Sequence, residues 1–295
     1  MTSVIICTRD KDISAEQRRN IEESAGEEVE IVVIDNSKGG ESIFSAYNKG
    51  VSRAGGDILC FMHDDVMFRT AGWGKIARRH FEEDGKLGLM GFAGAHFLPS
   101  TPMYWHDSPF ISEYDLTTRG GETEKCFFTE FFSKPDGRSE YGASTERKTL
   151  VEVAAVDGLC FFVRRELFDT VRFDEETFDG FHLYDMDICM QVRESGYKVA
   201  VCNDILVEHF YNASPSKKGY DLFEKNLHKF YDKWSSRFPM AVGLDGMTEG
   251  MIIQLDRYVK QKLQSDKAYH GIYHSKAYHL GKIMMKPLKN LFSKE

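Results

Sequence analysis

Short apolar runs and helical stretches alternate over the first 65 residues, and that order leaves few folds open. Residues 4–7 (Val-Ile-Ile-Cys) read as a strand and 14–24 as a polar helix. Residues 29–34 (Val-Glu-Ile-Val-Val-Ile) read as a second strand, 42–54 as a second helix broken by Gly55-Gly56, and 58–62 (Ile-Leu-Cys-Phe-Met) as a third strand. Strands joined by helical crossovers lie parallel and wind right-handed. The spacing therefore predicts an α/β fold, a Rossmann-like, mostly parallel sheet flanked by helices.

The third strand is apolar at every position, as expected of a strand buried on both faces. Directly after it stand His63-Asp64-Asp65-Val66. In open α/β sheets the carboxyl ends of the strands face the ligand crevice. Carboxylates placed there suit hard divalent cations, which bridge to nucleotide phosphates. Taken alone, the tetrad also reads as a solvated Asp-Asp turn that closes a strand.

Composition narrows the field further. At 295 residues and 42% hydrophobic content the chain can bury a large core, as one domain or one with an appendage. A net charge of −8 argues against nucleic acid as a partner. The charge is uneven: residues 256–295 carry nine Lys or Arg against three Asp or Glu. No stretch reaches the roughly 18 apolar residues of a membrane span, and the first residues are too short an apolar run for a signal-peptide core. The six cysteines form no CxxC pair; Cys7, Cys60, Cys160 and Cys202 sit in or beside apolar runs and Cys189 lies in a helical pattern, which predicts buried free thiols in a reducing cytoplasm.

From residue 97 to 150 the pattern dissolves. Pro99, Pro102, Pro109 and Pro135 alternate with Gly120-Gly121 and with Tyr104, Trp105, Phe110, Tyr114, Phe127, Phe128, Phe131 and Phe132. An aromatic-rich irregular insertion is expected, serving as a binding loop or as a small satellite core. Order returns with strands at 151–156, 159–163, 199–202 and 205–207 and a helix from Asp185 to Gly196. Asp185 and Asp187 fall in its first turn, where the helix dipole favours negative charge; for Asp187 that structural role is the expected one. Trp73 is expected in the core. Beyond residue 215, Leu222, Phe223, Leu227, Phe230, Tyr231 and Trp234 form one apolar helical stripe that should pack back on the sheet domain, and a second helix is expected over 247–263. Met284 to Phe292 mixes apolar and basic residues, which suits either an anionic membrane surface or the protein's own acidic body.

These pieces together resemble the family 2, GT-A-type glycosyltransferases. The resemblance rests on Val4-Ile5-Ile6-Cys7-Thr8-Arg9, Val32-Val33-Ile34-Asp35-Asn36-Ser37, Ala46-Tyr47-Asn48-Lys49-Gly50 and Ala54-Gly55-Gly56-Asp57-Ile58 leading to the tetrad. It continues through Asp157-Gly158-Leu159-Cys160, Arg164-Arg165-Glu166-Leu167-Phe168, Phe173-Asp174-Glu175 and Asp185-Met186-Asp187-Ile188-Cys189, and closes at His209. It implies a GT-A domain over residues 1–215, with 97–150 as an acceptor-side insertion, and a helical extension over 216–295. It further implies transfer of a sugar from a nucleotide donor to an acceptor hydroxyl, with inversion, in the assembly of surface polysaccharide or glycoconjugate. Thr8, Arg9, Asp35, Asn48, His63 and Asp64 are expected at the nucleotide. Asp65 and His209 are expected to hold a divalent cation, Mn2+ or Mg2+, and Asp185 to be the catalytic base. Tyr104, Trp105, Gly158 and Tyr184 are expected to line the acceptor side, with Trp105 offering an exposed stacking face. The partners implied are a nucleotide sugar and a carbohydrate or lipid-linked acceptor, with the protein cytoplasmic or peripheral at the inner face of the membrane.

Two residues depart from the family's pattern: His63 stands where its first metal-site aspartate is usual, and Tyr184 where a glutamate is usual. Those departures support a rival reading as an inactive carbohydrate- or partner-binding relative. A sugar nucleotidyltransferase is the other rival, but Thr8-Arg9-Asp10-Lys11 lacks its glycine-rich phosphate loop.

Overall fold

Every residue of Ile58–Met62 is buried, and the side chains divide between two cores on either face of one sheet. Leu59 and Phe61 join a cluster that includes Ile5, Ile34, Phe44 and Tyr47. Ile58, Cys60 and Met62 join another that includes Val4, Ile6, Ile21 and Trp73. A strand apolar at every position is thus explained by helices on both sides of it. The computed structural model describes residues 1–119, 122–131, 148–210 and 217–273.

In chain order the elements are β1 (Thr2–Thr8), α1 (Ala15–Ser24), β2 (Val29–Asp35), α2 (Ile43–Arg53), β3 (Ile58–Met62), β4 (Val66–Phe68), α3 (Trp73–Glu83), β5 (Leu87–Gly91), β6 (Ala93–Ala95) and β7 (Phe97–Leu98). There follow β8 (Phe110–Arg119), β9 (Glu122–Phe131), β10 (Leu150–Glu152), β11 (Ala155–Val156), β12 (Cys160–Arg164), α4 (Tyr184–Glu194), β13 (Lys198–Cys202), β14 (Val207–Phe210), α5 (Lys217–Lys233), β15 (Met240–Ala241) and α6 (Glu249–Tyr273). The central sheet has the order β10-β13-β5-β12-β3-β1-β2. β1 pairs in parallel with β2 and β3, and β13 with β5, whereas β12 runs antiparallel between β3 and β5 and β10 antiparallel to β13. The sheet is mostly parallel, as the alternation of elements requires.

A second sheet, β11-β6-β8-β14-β4 with β9 beside β8, stands against the first. Here the expectation of an irregular excursion after residue 97 is corrected. β8 and β9 form a long antiparallel pair that closes with Arg119 opposite Glu122. The signal was present in the sequence: Gly120-Gly121 divides two runs rich in Thr, Tyr and Phe.

Local chemistry sets the helix ends. Ser14 caps α1 through Gln17 N, and Ser42 caps α2 through Ser45 N. Trp73 is fully buried, stacks on Phe68 at 3.9 Å and donates its indole N–H to Ser24 Oγ. Cys7, Cys60, Cys160, Cys189 and Cys202 are free, and of these all but Cys7 are buried. The chain separates into two compact units, Met1–Gly246 and Met247–Glu295; the second contains α6, and no described helix is long and apolar enough to cross a membrane. The basic stretch 284–292 lies outside the described residues.

α5 is tied to α4 by a buried carboxylate. Asp187, only 1% exposed, receives Lys233 Nζ at 2.8 Å, Trp234 Nε1 at 2.8 Å and Gln191 Nε2 at 2.7 Å. Burial pushes its pKa up, and the three donors work in the opposite direction. The structural role expected for Asp187 therefore has this cluster as its cause more than the helix dipole. Asp187→Asn should cost about 1.5–3 kcal/mol of stability by losing hydrogen bonds to a charge. Denaturant unfolding would show it as a lower midpoint, and an unchanged midpoint would contradict the assignment.

Candidate active site

The carboxyl end of β3 turns directly into His63-Asp64-Asp65, and the turn is braced from below. Gln17 of α1 donates from Nε2 to the carbonyls of His63 and Val66, and Asn20 pairs with both backbone groups of Phe68. These side chains occupy the open edge of the short strand β4. On its other edge β4 pairs antiparallel with β14, with His209 opposite Val66, and Phe210 N donates to Asp65 O. That register carries His209 from far along the chain to the side of Asp65.

The outcome is a cluster of three potential ligands. His209 Nε2 lies 3.3 Å and His63 Nδ1 4.0 Å from Asp65 Oδ1, and the ligand atoms of the three residues all fall within 4.8 Å. Asp65 Oδ1 is buried yet has no hydrogen bond of acceptable geometry. Two ligands of one divalent ion with bonds of about 2.0–2.2 Å sit roughly 2.8–4.4 Å apart, so this donor set fits such an ion. Burial holds the His63 imidazole below its usual pKa, which keeps it neutral and able to ligate. Asp64, by contrast, is exposed at the tip of the turn.

Opposite stands the start of α4. Leu183, the residue before it, has φ 72°, a left-handed conformation that is strained for a branched side chain. The kink starts the helix so that Tyr184 reaches His63 and Asp185 lies beside Tyr104. Asp185 is 3% exposed; its Oδ2 accepts from Tyr104 Oη at 3.3 Å and its Oδ1 has no partner. Burial first, and then the negative charge of Asp157, push its pKa up to about 7. A carboxylate that takes up a proton near neutrality is suited to general-base work.

The remaining expected residues separate into two groups. Thr8 and Asp35 end the adjacent strands β1 and β2, with Arg9 just beyond; Arg9 and Asp35 are exposed, and Ser37 N donates to Asp35 Oδ1. Asn48 does not face this crevice with free donors. Its amide gives both hydrogens to Phe173 O and Glu175 Oε1 and accepts from Phe173 N, so it pins the 173–175 segment to α2. Trp105 is no exposed stacking face: it is 3% exposed within the main core, because the short turn at 105–107 folds it inward. Tyr104 meets Asp185 and packs on Phe223 at 5.3 Å instead of lining open solvent. Tyr184 is buried too, with its hydroxyl 2.9 Å from Gly158 O and 2.6 Å from His63 Nε2. A Cβ on Gly158 would collide with that hydroxyl, so only glycine leaves room for it. The aromatic that is exposed here is Phe181, at 42%, with its ring 5.3 Å from that of His63. Sequence reasoning passed over Phe181, and gave Asp157 no role, since neither position carries a local signal for it.

The chain belongs to the glycosyltransferase-like family, whose model matches residues 3–233. The streptomycin biosynthesis protein StrF of Streptomyces griseus is 29% identical over 164 residues, which is 54% of this chain and 50% of that protein; the chain thus spans about half the length of that relative. Among solved structures, GalNAc-T7 with UDP, GalNAc and Mn2+ is similar over 80% of this chain and 56% of its own, at 12% identity and a TM-score of 0.48. S. aureus TarS 1-349 in complex with UDP-GlcNAc is similar over 75% of this chain and 64% of its own, at 14% identity and a TM-score of 0.43.

The raised pKa of Asp185 has a consequence for stability that is separate from catalysis. Its folded value lies above the ordinary carboxylate value, so the neutral form stabilises the fold below about pH 4 and that contribution is lost as pH rises through about 7. Asp185→Asn, which cannot ionise, should therefore melt higher than the wild type at pH 8 by a few degrees, about what a gain on the order of 1–2 kcal/mol gives. The gap should narrow towards pH 5. A variant that melts lower at pH 8 would show that the carboxylate is not buried at a cost.

Proposed function

We propose that this glycosyltransferase moves a sugar from a nucleoside-diphosphate donor to a hydroxyl of a carbohydrate or lipid-linked acceptor, with inversion and with a divalent cation bound. The observation that carries the reading is the closeness of two unlike sites, linked by the 2.6 Å bond between His63 and Tyr184, the residue before Asp185. On one side the imidazoles of His63 and His209 lie 4.0 Å and 3.3 Å from Asp65 Oδ1. On the other lies the buried carboxylate of Asp185, with one oxygen unpartnered.

Each residue then has a task. Thr8, Arg9 and Asp35, at the carboxyl ends of β1 and β2, border the place where a nucleotide lies in an open α/β sheet. Asp65, His63 and His209 would hold the cation; when bound it neutralises the charge that develops on the departing diphosphate. Two imidazoles in the set favour manganese over magnesium, which prefers oxygen ligands and keeps its water. Asp185, ionised, accepts the proton of the acceptor hydroxyl as that oxygen attacks the anomeric carbon and the bond to the diphosphate breaks. Tyr104 donates to Asp185 Oδ2 and keeps that carboxylate aimed. Phe181 offers the apolar face of a sugar ring a stacking surface beside His63.

Separate variants test the two sides. Asp65→Ala should weaken Mn2+ binding more than about 100-fold, since the anionic ligand is lost, and should abolish transfer while leaving the melting temperature of the metal-free protein near that of the wild type. Asp185→Asn should bind donor and manganese normally and lower kcat by about 10²–10⁴-fold. Full activity in excess EDTA, or of Asp185→Asn, would overturn the corresponding half.

A further inference from the structure

The two residues that depart from the family's pattern, His63 and Tyr184, are the two partners of one hydrogen bond, 2.6 Å long. Its direction can be worked out from the neighbour. The Tyr184 hydroxyl also lies 2.9 Å from the carbonyl oxygen of Gly158, which can only accept. Among the described residues no other hydrogen bond reaches that carbonyl, and Gly158 is buried. Leaving a buried carbonyl unpaired is costly, so the one hydroxyl proton of Tyr184 goes to Gly158. The hydroxyl oxygen can then only accept from His63, and the imidazole must carry its proton on Nε2.

The position of the hydroxyl is well determined. The Tyr184 ring is packed edge-on against Phe44 at 6.3 Å and Tyr47 at 5.5 Å, with Phe161 and Phe173 within 6.5 Å. Gly158 supplies the space, and the left-handed Leu183 sets the start of the helix. A neutral imidazole protonated at Nε2 has its lone pair on Nδ1, the atom that faces Asp65 Oδ1 at 4.0 Å.

We infer that Tyr184 is a positioning residue that locks His63 as the Nε2–H tautomer, so that the Nδ1 lone pair is held towards Asp65 and His209 as a ligand for a divalent cation. The ligand role rests on the metal reading above; the tautomer does not. The hydroxyl thus acts as the outer partner that orients a metal-binding histidine, with a carbonyl behind it in place of the commoner carboxylate. It also accounts for the pair of departures: a histidine in that position needs a partner that accepts from Nε2, and Tyr184 is that partner.

The test uses the full chain and Tyr184→Phe, which retains the ring that fills the core. Nitrogen-15 NMR of histidine-labelled, metal-free protein at pH 8 should show His63 Nε2 as the protonated nitrogen and Nδ1 as the bare one. In Tyr184→Phe the two tautomers should mix, and Mn2+ affinity, read by titration, should fall about 10–100-fold. In a His63→Ala background the same Tyr184→Phe change should leave Mn2+ affinity unaltered, because Tyr184 acts through His63. A wild-type His63 protonated on Nδ1 overturns the inference. So does an equal loss of affinity in the His63→Ala background, which would mark a general structural role. A wild-type protein that binds no manganese while His63 is protonated on Nε2 refutes the metal reading and leaves the tautomer assignment standing.

Discussion

The site depends on one strand pairing of only three residue pairs: Val207 opposite Phe68, Glu208 opposite Met67 and His209 opposite Val66. A slip of one residue would turn His209 to the other face of the sheet and put Glu208 or Phe210 beside Asp65. So short a ladder does not hold its register unaided. Arg69 reaches Glu208 at 2.6 Å, Phe210 N donates to Asp65 O, and the amides of Gln17 and Asn20 close the opposite edge of β4. The fully buried stack of Phe68 on Trp73 fixes the strand from below. The positions of Asp65 and His209 are therefore set by α1, α3, β4 and β14 together, with β8 paired in parallel along the other edge of β14.

The reactive side of the crevice is arranged at a cost to the fold. Asp185 is buried with one oxygen unpaired, next to the charge of Asp157, and the chain enters α4 through a left-handed leucine. Each of these opposes stability, the strain alone by roughly 1–3 kcal/mol. They persist because the surroundings are firm: the aromatic cluster around Tyr184 and the Asp187–Lys233–Trp234 cluster two residues further along α4. Asp185 and Asp187, two residues apart, are both buried but differ in partners. Asp187 is surrounded by donors and holds α5, whereas Asp185 has a single long bond from Tyr104 and keeps the freedom to take a proton.

The first 65 residues were legible because their signals are local. The capping serines of α1 and α2 and the apolar run of β3 mark their own ends, and the structure puts those ends within a residue or two of the reading. Asp65, Asp185 and His209 were singled out through the family resemblance, and each ends or begins an element or stands directly beside one, where a side chain can face a crevice. Asn48 and Trp105 were not. Asn48 sits on the expected helix, but its amide is used by Phe173, 125 positions away. Trp105 follows two prolines and looks solvent-bound, yet a single short turn folds it into the core. The β8–β9 pair carried a local signal, Gly120-Gly121 between two runs rich in Thr, Tyr and Phe, but the prolines on either side made the whole stretch read as irregular. The bond between Tyr184 and His63 joins residues 121 positions apart, and a one-dimensional pattern shows them only as two separate departures.

The central claim, that strand register brings two imidazoles and one carboxylate onto one cation, is tested most directly by pulsed electron paramagnetic resonance of the protein loaded with Mn2+. Modulation of the echo should show nitrogen couplings from two histidines, reduced to one in His209→Ala and to one in His63→Ala. A manganese signal without nitrogen coupling, or one unchanged by both substitutions, would contradict the account.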